Sequence, residues 1–370
     1  MKDLRVYLTS GIYPPDKGGP AFFISEYSSW LKSRVSQTKI ISLKDGSAAK
    51  QGEANYQVIL NSRNHILPVR MLTSVLSILK PVFTKKIILV NGLFIEVLIA
   101  SLFMRSPIIA KVPGDIVWER ARNQGKTTLS IDEYQGKESG LKKVFRFLFT
   151  LSLKRAKIVI APSQHLKTLL EKWGVKASRI IVIRNSVDTN VFIPDAAKPK
   201  KYDVMTVCRL VPWKGVEELI RVCAEKNLSL SIVGDGPDGE KLRDLANATG
   251  ARVEFLGDRS HDQLPQLLNS SRIFVLNSQY EGSPHSLIEA LSVGLVSIAR
   301  ESTGSAEVIH DSVNGLLCGK TRTLSDAIDI ALTNSELSQK MRSEARSTAL
   351  AEFDKEKNFS KILDVIEVSR

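Results

Sequence analysis

Short runs of β-branched and other apolar residues alternate with longer amphipathic stretches along most of this chain, and no other feature restricts its fold as strongly. The alternation calls for parallel strands joined by crossover helices, because a parallel pair cannot be closed by a tight hairpin. Strands are expected at residues 5–9, 39–43, 56–60, 86–90, 108–112, 158–161 and 180–183. Helices fit between them, for example at 21–33, 68–79, 141–154 and 164–173, the last with Ser163 as N-cap. The pattern restarts after a Pro- and Lys-containing linker at 195–201, with strands at 204–207, 230–233, 253–256, 273–276 and 296–299. The tail, 324–369, is helical by period, with breaks at 334–335 and 353–354. A chain of 370 residues is also longer than one hydrophobic core usually serves. The expected fold is therefore α/β: two doubly wound, Rossmann-like parallel-sheet domains facing across a cleft. The first spans residues 1–190 and the second 191–354, with a terminal helix at about 355–370 expected to pack back on the first.

One segment breaks the rhythm. Residues 122–140 are polar, rich in Gly, Gln and Lys, and too long for an ordinary connection, so a lid or binding loop is expected there, a plain insertion being the alternative. The apolar run at 87–104 approaches membrane-spanning length but contains Asn91, Gly92 and Glu96. A carboxylate at mid-bilayer costs roughly 3 kcal/mol, so strand, turn and helix account for the run better. The first ten residues read as a strand rather than a secretory leader, and Cys208, Cys223 and Cys318 form no CxxC or Cys/His cluster. A cytoplasmic protein with no disulfide framework and no metal site is expected.

Charge is distributed unevenly. Residues 1–190 hold 30 Lys+Arg against 13 Asp+Glu, a net +17, whereas the remainder holds 22 against 26, a net −4. The basic half suits an anionic partner, either phospholipid headgroups beside a lipid-phosphate-linked acceptor or nucleic acid. No aromatic stacking platform or nucleic-acid motif accompanies the charge, so no nucleic-acid partner is expected. The stretch 141–157 mixes six cations with Phe145, Phe147, Phe149 and Leu151, a pattern open to two readings, a helix lying on an anionic membrane or an ordinary packed helix. Lys80, Lys85 and Lys86 are further candidates for membrane docking.

Open α/β sheets bind ligands beyond the carboxyl ends of their strands, which directs attention to four segments. Gly18 and Gly19, before the first helix, leave backbone N–H groups suited to a phosphate, or form a tight turn. Arg209 and Lys214 follow the first strand of the second half and can converge on a pyrophosphate. Gly234 to Gly239 matches GxGxxG, with Asp258 near the position of a ribose-binding acid, so an NAD(P)-dependent oxidoreductase is a rival reading. Two features weaken it: the motif follows the second strand of its half, and Pro237 removes a donor N–H. Finally, Glu281-Gly282-Ser283-Pro284-His285 leads into a helix carrying Leu287 and Glu289. Two carboxylates there can accept hydrogen bonds from sugar hydroxyls, while Ser283 and the helix start remain available to phosphate oxygens.

Taken in order, Val207-Cys208-Arg209-Leu210 with Lys214-Gly215, Val233-Gly234-Asp235-Gly236-Pro237, Phe255-Leu256-Gly257, Ser278 with Glu281-Gly282, and Glu289-Ala290-Leu291 resemble the retaining family-4 glycosyltransferases of the GT-B fold. Gly18-Gly19-Pro20, Ala161-Pro162-Ser163 and Asn185-Ser186-Val187-Asp188 strengthen the likeness, which covers nearly the whole chain. The resemblance implies transfer of a sugar from a UDP- or GDP-sugar to a glycan or lipid-pyrophosphate-linked acceptor, with bacterial surface polysaccharide or lipopolysaccharide assembly as the setting. Arg209 and Lys214 would hold the diphosphate in place of a metal ion, Glu289 the ribose and Glu281 the donor sugar. Gly282, Ser283 and Pro284 would shape the phosphate loop, with His285 inside it and Leu287 packing nearby. Gly19 would approach the diphosphate, Gly234 and Gly236 would belong to the donor site, and Arg259 would lie beside the base. No cofactor is implied, since front-face attack needs neither an enzyme nucleophile nor a metal. Many members carry His after the strand corresponding to 108–112, whereas this chain has Asp115. That carboxylate is expected either to orient or deprotonate the acceptor, or to cap a helix.

Overall fold

The structure, a computed structural model, describes residues 2–16, 18–53, 55–80 and 85–370. The chain divides into two compact units, Met1–Ile183 with Phe359–Arg370, and Arg184–Asn358. The division falls after Ile183 rather than after Asn190. The reason is local: Val187 N–H donates to Phe353 O (2.8 Å), Lys355 N–H donates to Val187 O (2.9 Å) and Lys355 Nζ pairs with Asp188 at 2.5 Å, which ties 185–190 to the second unit.

The described strands of the first unit are β1 (Lys2–Thr9), β2 (Val35–Lys44), β3 (Ala49–Glu53), β4 (Tyr56–Ser62), β5 (Ile87–Val90), β6 (Ile108–Lys111), β7 (Ile158–Ala161) and β8 (Ile180–Val182). Between them run α1 (Gly19–Leu31), α2 (Leu67–Leu79), α3 (Phe94–Ala100), α4 (Ile116–Asn123), α5 (Ile131–Tyr134), α6 (Leu141–Arg155) and α7 (Gln164–Lys172). The sheet order is β3-β4-β2-β1-β5-β6-β7-β8, parallel except for β3. Its central strands are covered on both faces, which is why β5 is apolar throughout, β6 is apolar but for its last residue, Lys111, and both are buried. The sequence moves outward from β1 in one direction and from β5 in the other. Right-handed crossovers then put α1 on one face and α2, α3 and α6 on the opposite face.

The first face is closed by α15 (Lys355–Val368), whose Phe359 meets Phe23, Tyr27 and Trp30 of α1 at ring-centroid distances of 5.0 to 6.1 Å. On the other face, α3 packs between α2 and α6, with Phe94 against Phe149 at 4.9 Å. The carbonyls left without helical partners at the end of α2 need donors, and buried lysines supply them. Lys39 Nζ donates to Ser77 O (3.0 Å) and Lys80 O (2.8 Å), and Lys86 Nζ donates to Ile78 O (2.8 Å) and Leu79 O (2.7 Å). Burial pushes both ammonium groups down to about 8, each with the other positive side chains nearby as a lesser cause. Lys86, expected on the membrane-facing surface, is therefore interior.

The second unit contains β9 (Tyr202–Val207), β10 (Leu230–Val233), β11 (Val253–Gly257), β12 (Ser271–Leu276), β13 (Val296–Arg300) and β14 (Leu316–Cys318) in the order β11-β10-β9-β12-β13-β14, all parallel. Its helices are α8 (Val216–Glu225), α9 (Gly239–Thr249), α10 (Leu264–Asn269), α11 (His285–Ser292), α12 (Thr303–Ala306), α13 (Leu324–Thr333) and α14 (Ser335–Glu352). The chain reverses direction between β9 and β12, so the loops after those two strands flank the switch point where such sheets bind ligands. In the first unit the corresponding reversal lies between β1 and β5.

Segment 122–140 is ordered rather than a long structureless loop. It completes α4 and carries α5, which opens with a capping box between Ser130 and Glu133.

Candidate functional site

The loops at the β9/β12 switch point are laced together by backbone and amide groups. Gln279 N–H donates to Trp213 O (2.8 Å), and Asn277 Nδ2 donates to Gly215 O (3.0 Å) and to Glu218 (2.9 Å). Gly215 takes φ 65°, and a Cβ there would lie 2.4 Å from Asn277 O, so glycine is required where the loops touch. Arg300 Nε in turn donates to Asn277 Oδ1 at 3.0 Å.

This framework brings Lys214 and Glu281 into a direct ion pair, Nζ to Oε1 at 2.5 Å, with side chains 17% and 13% exposed. Arg209 stands exposed at the end of β9, five residues before Lys214. The turn at Glu281 and Gly282 rests on the start of α12: Thr303 Oγ1 donates to Glu281 O (2.8 Å), Glu281 N–H donates to Thr303 Oγ1 (3.2 Å), and Gly304 N–H donates to Glu281 O (2.9 Å). A Cβ at Gly304 would sit 2.4 Å from Gly282 O. Sequence reasoning passes over Thr303 and Gly304, although they follow the carboxyl end of β13, where ligand-binding loops are to be sought. Ser283 is buried, and Asn185 holds it through Nδ2 to Ser283 O at 2.9 Å. Pro284 N-caps α11, His285 opens that helix half-buried, and Leu287 is fully buried.

Glu289 is only 5% exposed and pairs through Oε1 with His261 Nε2 at 2.9 Å, while the His261 ring leans on Phe192. Sequence reasoning assigns His261 no part. Its position just past β11, two residues beyond the exposed Arg259, is the signal that could find it. The second unit thus brings together a cation–carboxylate pair and, on the helix that follows, a buried carboxylate held by a histidine. An anion with several oxygens can exchange for Glu281 at Lys214, and each carboxylate can accept hydrogen bonds from vicinal hydroxyls.

The glycines of the GxGxxG stretch have a different cause. A Cβ at Gly234 would lie 2.0 Å from Cys208 O, and one at Gly236 2.3 Å from Leu210 O. They are small because the chain leaving β9 crosses directly over them, with Leu210 N–H donating to Asp235 O and Asp238 N–H to Leu210 O. The stretch follows β10, one strand away from the switch point, which is the wrong place for a dinucleotide fingerprint.

In the first unit, Gly18 is the N-cap of α1 at φ 137°, with Gly19 and Pro20 opening the helix. The loop before it is fastened by Arg63, which pairs with Asp16 and, at 3.0 Å, with Asp45. Asp115 takes the second of its two sequence readings. It has no exposed surface and caps α4 by accepting from Val117 and Trp118 N–H at 3.0 and 3.1 Å. Arg146 Nη2 bonds both of its oxygens at 2.7 and 2.6 Å, and Gln135 Nε2 bonds Oδ2 at 2.9 Å. Both oxygens of the carboxylate are engaged internally and none of it is exposed, which supports the capping reading over that of an acceptor base. Arg146 also pairs with Glu138 at 2.9 Å and lies 4.4 Å from the Trp173 ring centroid, whose Nε1 donates to Gln135. The same network anchors 124–140. Among the described residues no His, Cys, Asp or Glu cluster is disposed to hold a metal ion.

Both sheets and the switch-point loops define a two-unit protein of the GT-B fold. Comparison of structures agrees: a crystal structure of Anabaena HepE in complex with UDP and glucose superposes with a TM-score of 0.80 over 98% of this chain and 99% of that one, at 20% identity. The model of the glycosyl transferases group 1 matches residues 188–348, and that of glycosyltransferase family 4 matches 127–191. Both matches are to glycosyltransferase families, and over residues 127–348 the chain is similar to the family-4 glycosyltransferases. The alpha-D-kanosaminyltransferase of Streptomyces kanamyceticus is 29% identical over 159 residues, 40% of this chain and 41% of that protein. The N,N'-diacetylbacillosaminyl-diphospho-undecaprenol alpha-1,3-N-acetylgalactosaminyltransferase of Campylobacter jejuni is 26% identical over 261 residues, 65% of this chain and 67% of its own length. The chain spans between a third and about half the length of several curated relatives that it matches.

Proposed function

We propose that this protein is a retaining glycosyltransferase that moves a sugar from a nucleoside diphosphate donor to a lipid-diphosphate-linked glycan, in assembly of a bacterial surface polysaccharide. The Lys214–Glu281 pair at the β9/β12 switch point carries the proposal. Lys214 and Arg209 take the diphosphate and stabilise the charge that develops as the glycosidic bond to phosphate breaks, a task that fixed cations can perform without a metal. Glu281, released from Lys214, accepts from hydroxyls of the sugar, and Glu289, held by His261, accepts from the ribose. Gly282, Ser283, Pro284 and His285 wrap the phosphates, with Leu287 fixing the helix beneath them. Arg259 flanks the base. A leaving phosphate oxygen removes the acceptor proton on the face it departs from, so configuration is retained without an enzyme nucleophile.

Uridine as the base is supported by the UDP bound to HepE; GDP-sugars fit the same diphosphate and ribose contacts. A lipid diphosphate acceptor is supported by the Campylobacter relative's name. Membrane association is peripheral in this proposal; among the described residues no helix is long and apolar enough to cross a bilayer. Transfer assays on Lys214→Ala and Glu289→Ala test the proposal. Each variant is expected to lose at least about a hundredfold in kcat/KM when assayed well below its own melting transition, where both variants remain folded. Full turnover by either would overturn it.

A further inference from the structure

On the outer side of the helical layer formed by α2 and α6, with α3 between them, apolar residues face solvent in register. In α6, Val144 (54% exposed), Phe147 (65%) and Leu151 (41%) recur at helical spacing on the side opposite buried Phe149, Ser152 and Leu153. In α2, Val69, Leu72 and Leu76 are likewise exposed, opposite buried Ser74, Val75 and Ile78. Both stripes point away from the same sheet face, so they share one surface. At about 100° per residue, Lys143 and Lys154 border the α6 stripe on one side and Arg155 on the other. Neither helix contains an acidic residue. An apolar centre rimmed by cations, on the unit whose half of the chain carries net +17, is complementary to a surface that is apolar inside and anionic outside.

We infer that this face of α2 and α6 is a membrane-docking surface, in which Phe147, Leu151 and Val144 enter the acyl boundary of an anionic bilayer while Lys143, Lys154 and Arg155 meet the headgroups. The inference deepens the proposal of a lipid-linked acceptor and rests on it for its purpose, but the physical claim is separable from catalysis. It also revises the expected docking set, since Lys86 is interior while Lys80 and Lys85 are exposed.

The test is flotation of the full chain with vesicles of phosphatidylcholine alone or mixed with phosphatidylglycerol. The wild type is expected to float with the anionic vesicles and to stay with the soluble fraction on the neutral ones. Phe147→Ser with Leu151→Ser should lower the partition by about tenfold or more. Lys143→Glu with Lys154→Glu should do the same and abolish the salt dependence. These side chains are exposed, so thermal melting should match the wild type. Equal flotation of the Ser double variant and the wild type would overturn the inference, as would equal recovery on both vesicle types. So would a dimer in sedimentation that the Ser double variant dissolves, which would assign the face to a second copy of the chain. Lys214→Ala, which fails in transfer, should float like the wild type, so failure of the donor-site proposal and failure of docking remain distinguishable.

Discussion

Replacing Asp115 separates an acceptor-site role from an anchoring one. In Asp115→Ala, α4 loses a cap that satisfies two backbone N–H groups, worth about 1 kcal/mol. The change also leaves Arg146, whose side chain is 12% exposed, without the partner that binds it through both oxygens. Breaking a buried ion pair on one side costs about 3–5 kcal/mol, and because Glu138 still pairs with Arg146 Nε the lower end applies, about 3 kcal/mol. The sum, about 4 kcal/mol, corresponds to roughly 8–16 °C in melting temperature for a unit of this size. Asp115→Asn keeps an oxygen for the helix cap and should lose only the ionic share. Calorimetric melting and transfer rates measured well below the transition read the two effects apart. The anchor predicts large thermal losses with kcat within a few-fold of wild type. Variants that melt within about 2 °C of wild type but lose kcat by a hundredfold or more would refute it and return Asp115 to the acceptor site.

Two further outcomes are expected. Gly236→Ala should destabilise the second unit by about 1–3 kcal/mol in denaturant titration whether or not a nucleotide is present, because its Cβ meets the Leu210 backbone; a change confined to ligand affinity would show that the glycine serves a ligand instead. Stability of the first unit should rise between about pH 8 and pH 10. Lys39, Lys86 and Lys111 each have a folded value of about 8 against 10.5, so across that window the unfolded chain binds more protons than the native one. Burial raises the hydroxyls of Tyr7 and Tyr27 above 10, which reverses the slope at higher pH. Chemical melts at fixed pH values check the sign, and stability that falls from pH 8 to pH 10 would contradict it.

Every strand expected from apolar runs formed, because buried parallel strands need continuous apolar sequence and little else produces it. Two others escape a sequence reading for opposite reasons. Ala49–Glu53 is a polar antiparallel edge held by backbone pairing to β4, with Lys50 exposed, so it carries no apolar signal. Leu316–Cys318 is too short to stand out from its surroundings. The candidate donor-site residues could be singled out in sequence because their loops follow strands in an order that few folds share. Local sequence could not show that Glu289 meets His261, 28 positions away, or that Asp115 meets Arg146, 31 positions away. Gly234 and Gly236 are ambiguous in sequence for a related reason: close approach of another backbone, which the structure shows, and close approach of a phosphate demand the same residue.

We propose that Lys214, with Glu281 paired to it and Glu289 on the helix that follows, holds a nucleoside diphosphate sugar without a metal. Calorimetric titration of the whole chain with UDP-glucose, GDP-mannose and NAD, in buffer containing EDTA, tests it most directly. Saturable binding of one of the two sugar nucleotides, undiminished by the chelator, absent in Lys214→Ala and accompanied by no response to NAD, is the predicted result. Binding of NAD, or sugar-nucleotide binding that survives Lys214→Ala or requires a divalent cation, would contradict it.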